Sequence, residues 1–123
     1  MADKKRVLII DDECDYADIL KQRLEFEGFE VEVAYDGAAG LKAAKENEPD
    51  VVLLDIMMPE LDGFETAKQF HSSFPFESIK FIFVTAFGRE PSDVQKAIIG
   101  KSPFIRKPFE VADLIDVIRS QLS

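Results

Sequence analysis

The sequence is short of cysteine, of glycine-rich turns and of long apolar runs, and each shortage excludes a class of protein. Cys14 is the only cysteine among 123 residues, which excludes an intramolecular disulfide and a metal site with several cysteines. No apolar run approaches the ~20 residues of a membrane span. The basic residues near the N-terminus are not followed by an apolar segment long enough to make a signal peptide. The lack of a glycine-rich turn excludes a dinucleotide-binding domain. We therefore expect residues 1–123 to form one soluble domain in the cytoplasm, without a membrane partner.

Basic residues are scarce in the first half of the chain. Residues 1–60 hold 7 Lys or Arg against 16 Asp or Glu, whereas residues 61–123 hold 8 of each kind. The whole net charge of −9 therefore lies in the first half, and the isoelectric point is near 4.6. Because duplex DNA requires a basic face, this composition predicts that the domain does not bind nucleic acid.

What the sequence does contain is an alternation of short apolar runs with helical patterns. Continuous apolar runs predict buried strands at 6–10 and 51–54, and period-two alternation predicts an edge strand at 29–34. Two further strands are predicted at 80–84 and 103–106. Apolar residues at helical spacing predict five helices, which begin near Tyr16, Asp36, Asp62, Pro91 and Val111.

Five strands that alternate with five helices predict an α/β fold with a parallel sheet and helices on both faces. The alternating second strand belongs at an edge of this sheet, and the continuous first and third runs belong inside it. This fits the order 2-1-3-4-5 of the doubly wound, flavodoxin-like fold. In that fold, ligands bind at the carboxyl ends of the first and third strands.

Polar side chains stand at the carboxyl ends of four predicted strands. They are Asp11, Asp12, Asp55, Thr85 and Lys107. The ends of parallel strands share one edge of the sheet, so three carboxylates, a hydroxyl and an ammonium converge there. Carboxylates this close repel one another unless a cation is present, and oxygen ligands suit Mg²⁺ or Mn²⁺. The lysine and the hydroxyl beside such a cation favour an anion, for which phosphate is the obvious candidate.

Each of these residues also has a purely structural interpretation. Asp11 and Asp12 could cap the helix that follows them, and Lys107 could be a solvated surface lysine. Asp55 could be a loop aspartate, Thr85 is a common residue type in strands, and Phe104 could pack in the core. The shared position at one sheet edge favours the functional interpretation.

Four motifs together resemble the receiver domains of two-component response regulators, the CheY-like family. They are Val-Leu-Ile-Ile-Asp-Asp-Glu at 7–13, the segment from Asp50 to Gly63, Val-Thr-Ala at 84–86 and Lys-Pro-Phe at 107–109. Their order and separations are those of the family, and the resemblance covers essentially the whole chain. It implies a single receiver domain over residues 1–123.

The resemblance implies an aspartyl phosphorylation site with a metal ion. Asp55 is then the phosphoacceptor, modified to 4-aspartylphosphate. Asp12 and Asp55 ligate Mg²⁺ directly, Asp11 does so through water, and Met57 contributes its backbone carbonyl. The domain catalyses its own phosphorylation and dephosphorylation but is mainly a signalling switch.

The resemblance also assigns the residues that respond to the phosphoryl group. Lys107 pairs with Asp55 and the phosphoryl oxygens, and Thr85 donates a hydrogen bond to them. Phe104 occupies the aromatic switch position of the family, and the Lys107–Pro108 bond resembles one that is often cis. The surface that changes is formed by the predicted fourth helix, fifth strand and fifth helix.

The partners implied are a histidine kinase or a histidine phosphotransfer protein, and a downstream protein target. An alternative is a receiver fragment of a hybrid kinase or phosphorelay, which passes the phosphoryl group to another histidine. A flavodoxin-like redox carrier is disfavoured because acidic residues follow the first strand, where a flavin phosphate would bind. An aspartate-nucleophile phosphatase is disfavoured because Met57 stands where a second acid is needed.

Two apolar side chains distinguish this sequence from many members of the family. Met57 and Phe87 stand two positions after Asp55 and Thr85, respectively. The resemblance places both beside the path of the water that hydrolyses the acyl phosphate. Neither side chain can orient a water by hydrogen bonding, so we expect both to gate it and the phosphorylated form to be long-lived.

Overall fold

A parallel sheet of five strands forms the centre of the protein. The computed structural model describes residues 4–56, 63–74, 79–86 and 102–123. The strands are β1 (Arg6–Ile10), β2 (Glu30–Ala34), β3 (Val51–Asp55), β4 (Lys80–Ala86) and β5 (Phe104–Lys107). Their order is β2-β1-β3-β4-β5 and every neighbouring pair is parallel, which confirms the predicted fold class and strand order.

Four helices are seen in the described residues. They are α1 (Cys14–Phe26), α2 (Gly37–Glu46), α3 (Gly63–Ser73) and α4 (Val111–Leu122). The helix predicted to begin near Pro91 lies outside the described residues, so α4 is the fifth helix of the sequence prediction. None of the helices in the described segments is long and apolar enough to cross a membrane.

The helices cover both faces of the sheet, because alternate residues of each inner strand point to opposite sides. Residues of one parity, such as Ile9 and Leu53, pack with Leu20 of α1 and Leu114 of α4 in one core cluster. Residues of the other parity form a second cluster with α2 and α3; among them are Leu8, Ile10, Leu54, Phe83, Ala44 and Phe70. The strands β1 and β3 are therefore buried on both faces, as their continuous apolar runs predicted.

Local signals in the sequence set several element ends. Gly28 has a φ of 100° just after α1, a left-handed conformation that glycine adopts readily. Asp36 caps α2, because its side chain accepts a hydrogen bond from the Ala39 N–H at 2.8 Å. Strand β4 continues through Thr85, and β5 includes Lys107, so both residues stand within strands rather than after them.

Candidate functional site

The sheet register brings the predicted site residues to one edge. Asp55 is the last residue of β3 and pairs with Val84, next to Thr85 in β4. Thr85 pairs with Arg106, and Ala86 pairs with Lys107. Asp11 follows β1 directly and donates its N–H to the Ala34 carbonyl at 3.1 Å. The parallel arrangement thus juxtaposes side chains from four segments that are far apart in sequence.

The ammonium of Lys107 is the centre of this site. Its Nζ atom lies 2.8 Å from Asp11 Oδ2, 3.0 Å from Glu13 Oε1 and 3.4 Å from Asp55 Oδ2. The Lys107 side chain is 17% exposed, and those of Asp11 and Asp55 are 5% and 6% exposed. Lys107 is therefore a half-buried cation held by three carboxylates, and not the solvated lysine of the structural interpretation.

An aromatic ring completes the surroundings of the ammonium. Lys107 Nζ lies 4.5 Å from the centroid of the Tyr16 ring, within the range of a cation–π contact. Tyr16 itself packs edge-on against Phe109, with 6.0 Å between the ring centroids. Helix α1 therefore contributes to the site from the side of the sheet that it covers.

Sequence reasoning did not select Glu13 or Tyr16 as site residues. Glu13 belongs to the first motif, and Tyr16 marks the start of a predicted helix, but neither pattern predicts a contact with Lys107. The available signal was their position, because Glu13 directly follows the aspartate pair and Tyr16 lies in the first turn of α1. Asp11, Asp55 and Lys107 continue the parity of the strand residues that face α1, which makes these contacts possible.

Electrostatics keeps the lysine charged and the tyrosine neutral. Burial lowers the pKa of Lys107, but the hydrogen bonds to Asp11 and Glu13, together with the negative charges of Asp11 and Asp55, outweigh it, so the net pKa is raised. Burial raises the pKa of Tyr16 to about 12; the ammonium of Lys107 opposes this rise, and the nearby carboxylates add to it. The site therefore combines a permanent cation with a phenol that stays protonated at neutral pH.

The two consecutive aspartates have different surroundings. Asp11 is buried, and its Oδ1 accepts a hydrogen bond from the Glu13 N–H at 2.9 Å. Asp12 is exposed. Helix α1 begins at Cys14, and the side chain of its N-cap residue, Glu13, makes no capping hydrogen bond. The Asp11 side chain therefore stabilises the turn that precedes α1, but it does not accept a hydrogen bond from an amide in the first turn of the helix.

The acidic residues are close enough to share a metal ion. One carboxylate oxygen from each of Asp11, Asp12 and Asp55 lies within 4.8 Å of the others. Opposite ligands of an octahedral Mg²⁺ ion are about 4.2 Å apart and neighbouring ligands about 3 Å apart, so some of these oxygens must move closer together or reach the ion through water. All donors are oxygens, which suits Mg²⁺ or Mn²⁺ and disfavours a zinc site. The chain therefore fits the predicted metal through these three residues, while Met57 lies outside the described residues.

The two proposed switch residues belong to the opposite parity. Thr85 is buried at 1% exposure, whereas Phe104 is 40% exposed, so the core-packing interpretation of Phe104 is wrong. Phe104 pairs with Phe83 at the outer edge of the sheet, where β5 has no further strand beside it in the described structure. The guanidinium carbon of Arg106 lies 5.3 Å from the centroid of the Phe104 ring. The Lys107–Pro108 bond is cis, as the resemblance implied, and Phe87 lies outside the described residues.

Comparison with known proteins shows the family to which this fold belongs. Residues 7–119 match the family model of the response regulator receiver domain. The chain is similar to a CheY-like response regulator receiver domain protein from Methanospirillum hungatei JF-1, with 36% identity and a TM-score of 0.84. That match covers 98% of this chain and 94% of the other.

Two further solved structures are similar to this chain, one over nearly its own full length and one over about a quarter of its length. The response regulator TrrA from Thermotoga maritima, solved in complex with Mg²⁺ and BeF, is 30% identical with a TM-score of 0.81; the match covers 95% of this chain and 98% of that one. NtrX from Brucella abortus is 28% identical with a TM-score of 0.83, and the match covers 98% of this chain but 26% of that one. On the family match and the shared fold, this chain belongs to the response regulator receiver domain family.

Proposed function

We propose that Asp55 accepts a phosphoryl group from a histidine kinase or a histidine phosphotransfer protein. The observation that carries this proposal is the position of the buried Asp55 carboxylate, 3.4 Å from the Lys107 ammonium and beside Asp11 and Asp12. A carboxylate is a weak nucleophile, so its reaction with a phosphoryl group depends on alignment and on neutralised charge.

Asp11, Asp12 and Asp55 would hold Mg²⁺ or Mn²⁺ with the Met57 carbonyl, and the bound ion supplies positive charge to the phosphoryl oxygens. Lys107 supplies a second positive charge beside Asp55. In the metal-free protein, the Lys107 ammonium also offsets the electrostatic repulsion between the Asp11 and Asp55 carboxylates. Thr85 serves as the hydroxyl donor to the phosphoryl group.

In the transfer step, an Asp55 carboxylate oxygen forms a bond to phosphorus while the bond from phosphorus to the donor histidine nitrogen breaks. The electron pair of the broken bond returns to the imidazole, which becomes neutral or takes a proton from solvent. The acyl phosphate brings about −2 charge into the crevice. Hydrolysis later transfers the phosphoryl group to water and restores the Asp55 carboxylate.

We propose that the new charge biases a two-state element formed by Thr85 and Phe104. Movement of Thr85 toward the phosphoryl group vacates space for the half-exposed Phe104 ring. The outcome is a changed surface on β5, on α4 and on the helix predicted to begin near Pro91, to which a downstream protein binds.

We also propose a cytoplasmic location. The exposed free thiol of Cys14 agrees with it.

The test is incubation with a small phosphodonor and Mg²⁺, followed by intact-mass analysis. Wild type should gain one phosphoryl group, and Asp55→Asn should gain none. Asp50→Asn is the matched control, because Asp50 precedes the same strand at its other end and accepts a hydrogen bond from the Arg6 N–H at 2.8 Å. Phosphorylation of Asp55→Asn at the wild-type rate would refute the assignment.

The phosphorelay alternative predicts a second transfer. The phosphorylated domain, freed of its donor, would then pass the group to a histidine phosphotransfer protein faster than to water. A terminal switch would lose its phosphoryl group only to water. The match to 26% of NtrX shows that a similar domain can be part of a much longer chain.

A further inference from the structure

Glu13 makes a contact with Lys107 that the proposed function does not use. Its Oε1 atom lies 3.0 Å from Lys107 Nζ, closer than the Asp55 Oδ2 atom at 3.4 Å. The Glu13 side chain is 64% exposed, whereas the Asp55 side chain is 6% exposed. The lysine thus has a short ion pair with the most exposed of its three carboxylate partners.

The ammonium has no donor left for a further anion. A lysine ammonium offers three hydrogens, and Asp11, Glu13 and Asp55 all lie within hydrogen-bonding distance of Nζ. An arriving phosphoryl oxygen must therefore replace one of them. Asp11 is buried and is fixed by its own hydrogen bond from the Glu13 N–H, and Asp55 is the residue that carries the phosphoryl group.

The lysine itself has little freedom to leave its partners. The Tyr16 ring lies 4.5 Å from Nζ, and Phe109 supports that ring edge-on. Lys107 is the last residue of β5, which pairs with β4. Movement is therefore easiest for the exposed Glu13 carboxylate, which can rotate into water without uncovering apolar surface.

We propose that Glu13 is a positioning residue that occupies, on Lys107, the place later taken by a phosphoryl oxygen. In the resting protein it holds the ammonium beside Asp55, and an anion binds by displacing the Glu13 carboxylate. Glu13 thus lowers the affinity of the site for a phosphoryl group or a similar anion. The part of this inference that concerns the phosphoryl group rests on the proposed function, but the resting contact does not.

Three variants separate contact from charge. Glu13→Ala removes both the carboxylate and the charge, whereas Glu13→Asp keeps the charge on a side chain too short to make the same contact. Asp15→Ala is the control, because it removes one charge from the first turn of α1. Asp15 is not among the ion-pair partners of Lys107 in the described part of the chain.

The first measurement uses the metal-free protein. The Lys107 ammonium is observed by ¹⁵N NMR and assigned with Lys107→Arg, and the exchange of its protons with water is measured. Exchange should be about two- to fivefold faster in Glu13→Ala and Glu13→Asp, the range of a half-exposed ion pair. It should match wild type in Asp15→Ala. Unchanged exchange in Glu13→Ala would overturn the inference, whatever the protein does with phosphate.

The second measurement is the affinity for beryllium fluoride with saturating Mg²⁺ at physiological ionic strength. Glu13→Ala and Glu13→Asp should both bind about two- to fivefold more tightly than wild type, and Asp15→Ala should not. Equal affinities in all four proteins would overturn the displacement. If only the two charge-removing variants bind more tightly, the effect is one of charge and the displacement is also overturned. A wild type that binds no beryllium fluoride would count against the proposed function instead, and the exchange measurement would still decide the Glu13–Lys107 contact.

Discussion

At the scale of single residues, the two neighbouring aspartates after β1 should respond oppositely to removal of their charge. Asp11 is buried and pairs with Lys107 at 2.8 Å, whereas Asp12 is exposed and lies in the same acidic cluster. In the described residues, no hydrogen bond or ion pair to the Asp12 carboxylate is found. In the metal-free protein, the Asp12 charge therefore contributes mainly repulsion.

We predict that Asp11→Asn lowers the free energy of unfolding of the metal-free protein by about 1–3 kcal/mol, because the charge-assisted contact with Lys107 is lost. Asp12→Asn should leave it unchanged or raise it slightly. Urea denaturation without Mg²⁺ measures both. A larger loss for Asp12→Asn than for Asp11→Asn would contradict the different surroundings of the two side chains.

The Tyr16 phenol gives the site a signature at high pH. Its pKa is raised from 10.0 to about 12, chiefly by burial. A pKa that is higher in the folded than in the unfolded state contributes stability that is complete below pH 10 and is lost as the pH rises toward 12.

We predict that the metal-free Tyr35→Phe variant, in which Tyr16 is the only tyrosine left, forms phenolate well above pH 10 while it remains folded. Ultraviolet absorbance follows the phenolate, and far-ultraviolet circular dichroism follows the fold. Tyr16→Phe should lose less stability than wild type between pH 10 and 12. A phenolate midpoint near pH 10 in folded protein would disprove the burial of the hydroxyl.

The sequence predicts that the lifetime of the phosphorylated form depends on two residues outside the described part of the chain. We propose, from the sequence, that Met57 and Phe87 exclude the hydrolytic water. Met57→Asn/Phe87→Glu should therefore speed phosphate loss by about tenfold or more, equivalent to roughly 1.4 kcal/mol of barrier. Autodephosphorylation in the same buffer and Mg²⁺ is the comparison, and equal rates would show that these side chains do not gate the water.

At the scale of elements, the packing of α2 on β1 depends on a glycine. A Cβ atom on Gly40 would overlap the side chain of Ile10, with 2.7 Å to Cγ1 and a closer approach to Cδ1. Ile10 is fully buried in the cluster beneath α2 and α3, so its side chain has little room to move. The absence of a side chain at Gly40 is therefore what lets α2 approach the sheet.

We predict that Gly40→Ala lowers the free energy of unfolding, because overpacking costs about 1–3 kcal/mol and exceeds the gain of about 1 kcal/mol in helix propensity. Ile10→Val, which removes Cδ1, should cost about 0.5–1.5 kcal/mol in wild type but less in the Gly40→Ala background. A double-mutant cycle by urea denaturation measures this coupling. Additive effects would show that the two side chains do not meet.

At the scale of the whole molecule, the charge distribution links stability to ions. The net charge is −9, and the site contains four carboxylates, those of Asp11, Asp12, Glu13 and Asp55. Sodium chloride at 1 M screens the repulsion between charges that are more than about 3 Å apart. Mg²⁺ would screen these charges too, and it would also bind specifically to the folded state.

We predict that sodium chloride raises the melting temperature of the metal-free protein, and that Mg²⁺ raises it further at equal ionic strength. At ten times its dissociation constant, the specific gain would be about 1.4 kcal/mol. Asp55→Asn should keep the response to sodium chloride and lose most of the extra response to Mg²⁺. An equal effect of the two salts on wild type would contradict a specific metal site.

The elements in the described part of the chain and the strand order could be predicted from local patterns, and so could the meeting of Asp11, Asp55 and Lys107 at one sheet edge. Continuous and alternating apolar patterns are local, and they separate inner strands from an edge strand because burial on two faces and on one face leave different periodicities. Once the strands are parallel, Asp11, Asp55 and Lys107 must share an edge, because all carboxyl ends of a parallel sheet lie on one side. The resemblance then supplied the roles that residue types alone left open.

The side-chain contacts at that edge could not be predicted from local patterns. The Glu13–Lys107 pair spans 94 residues of sequence, and it depends on where α1 begins and on the side-chain conformations at the end of β5. The exposure of Phe104 is another example, because an aromatic residue type predicts burial, whereas its place on the last strand leaves it half in water. Such contacts arise from the distance and direction between packed elements, which local periodicity does not contain.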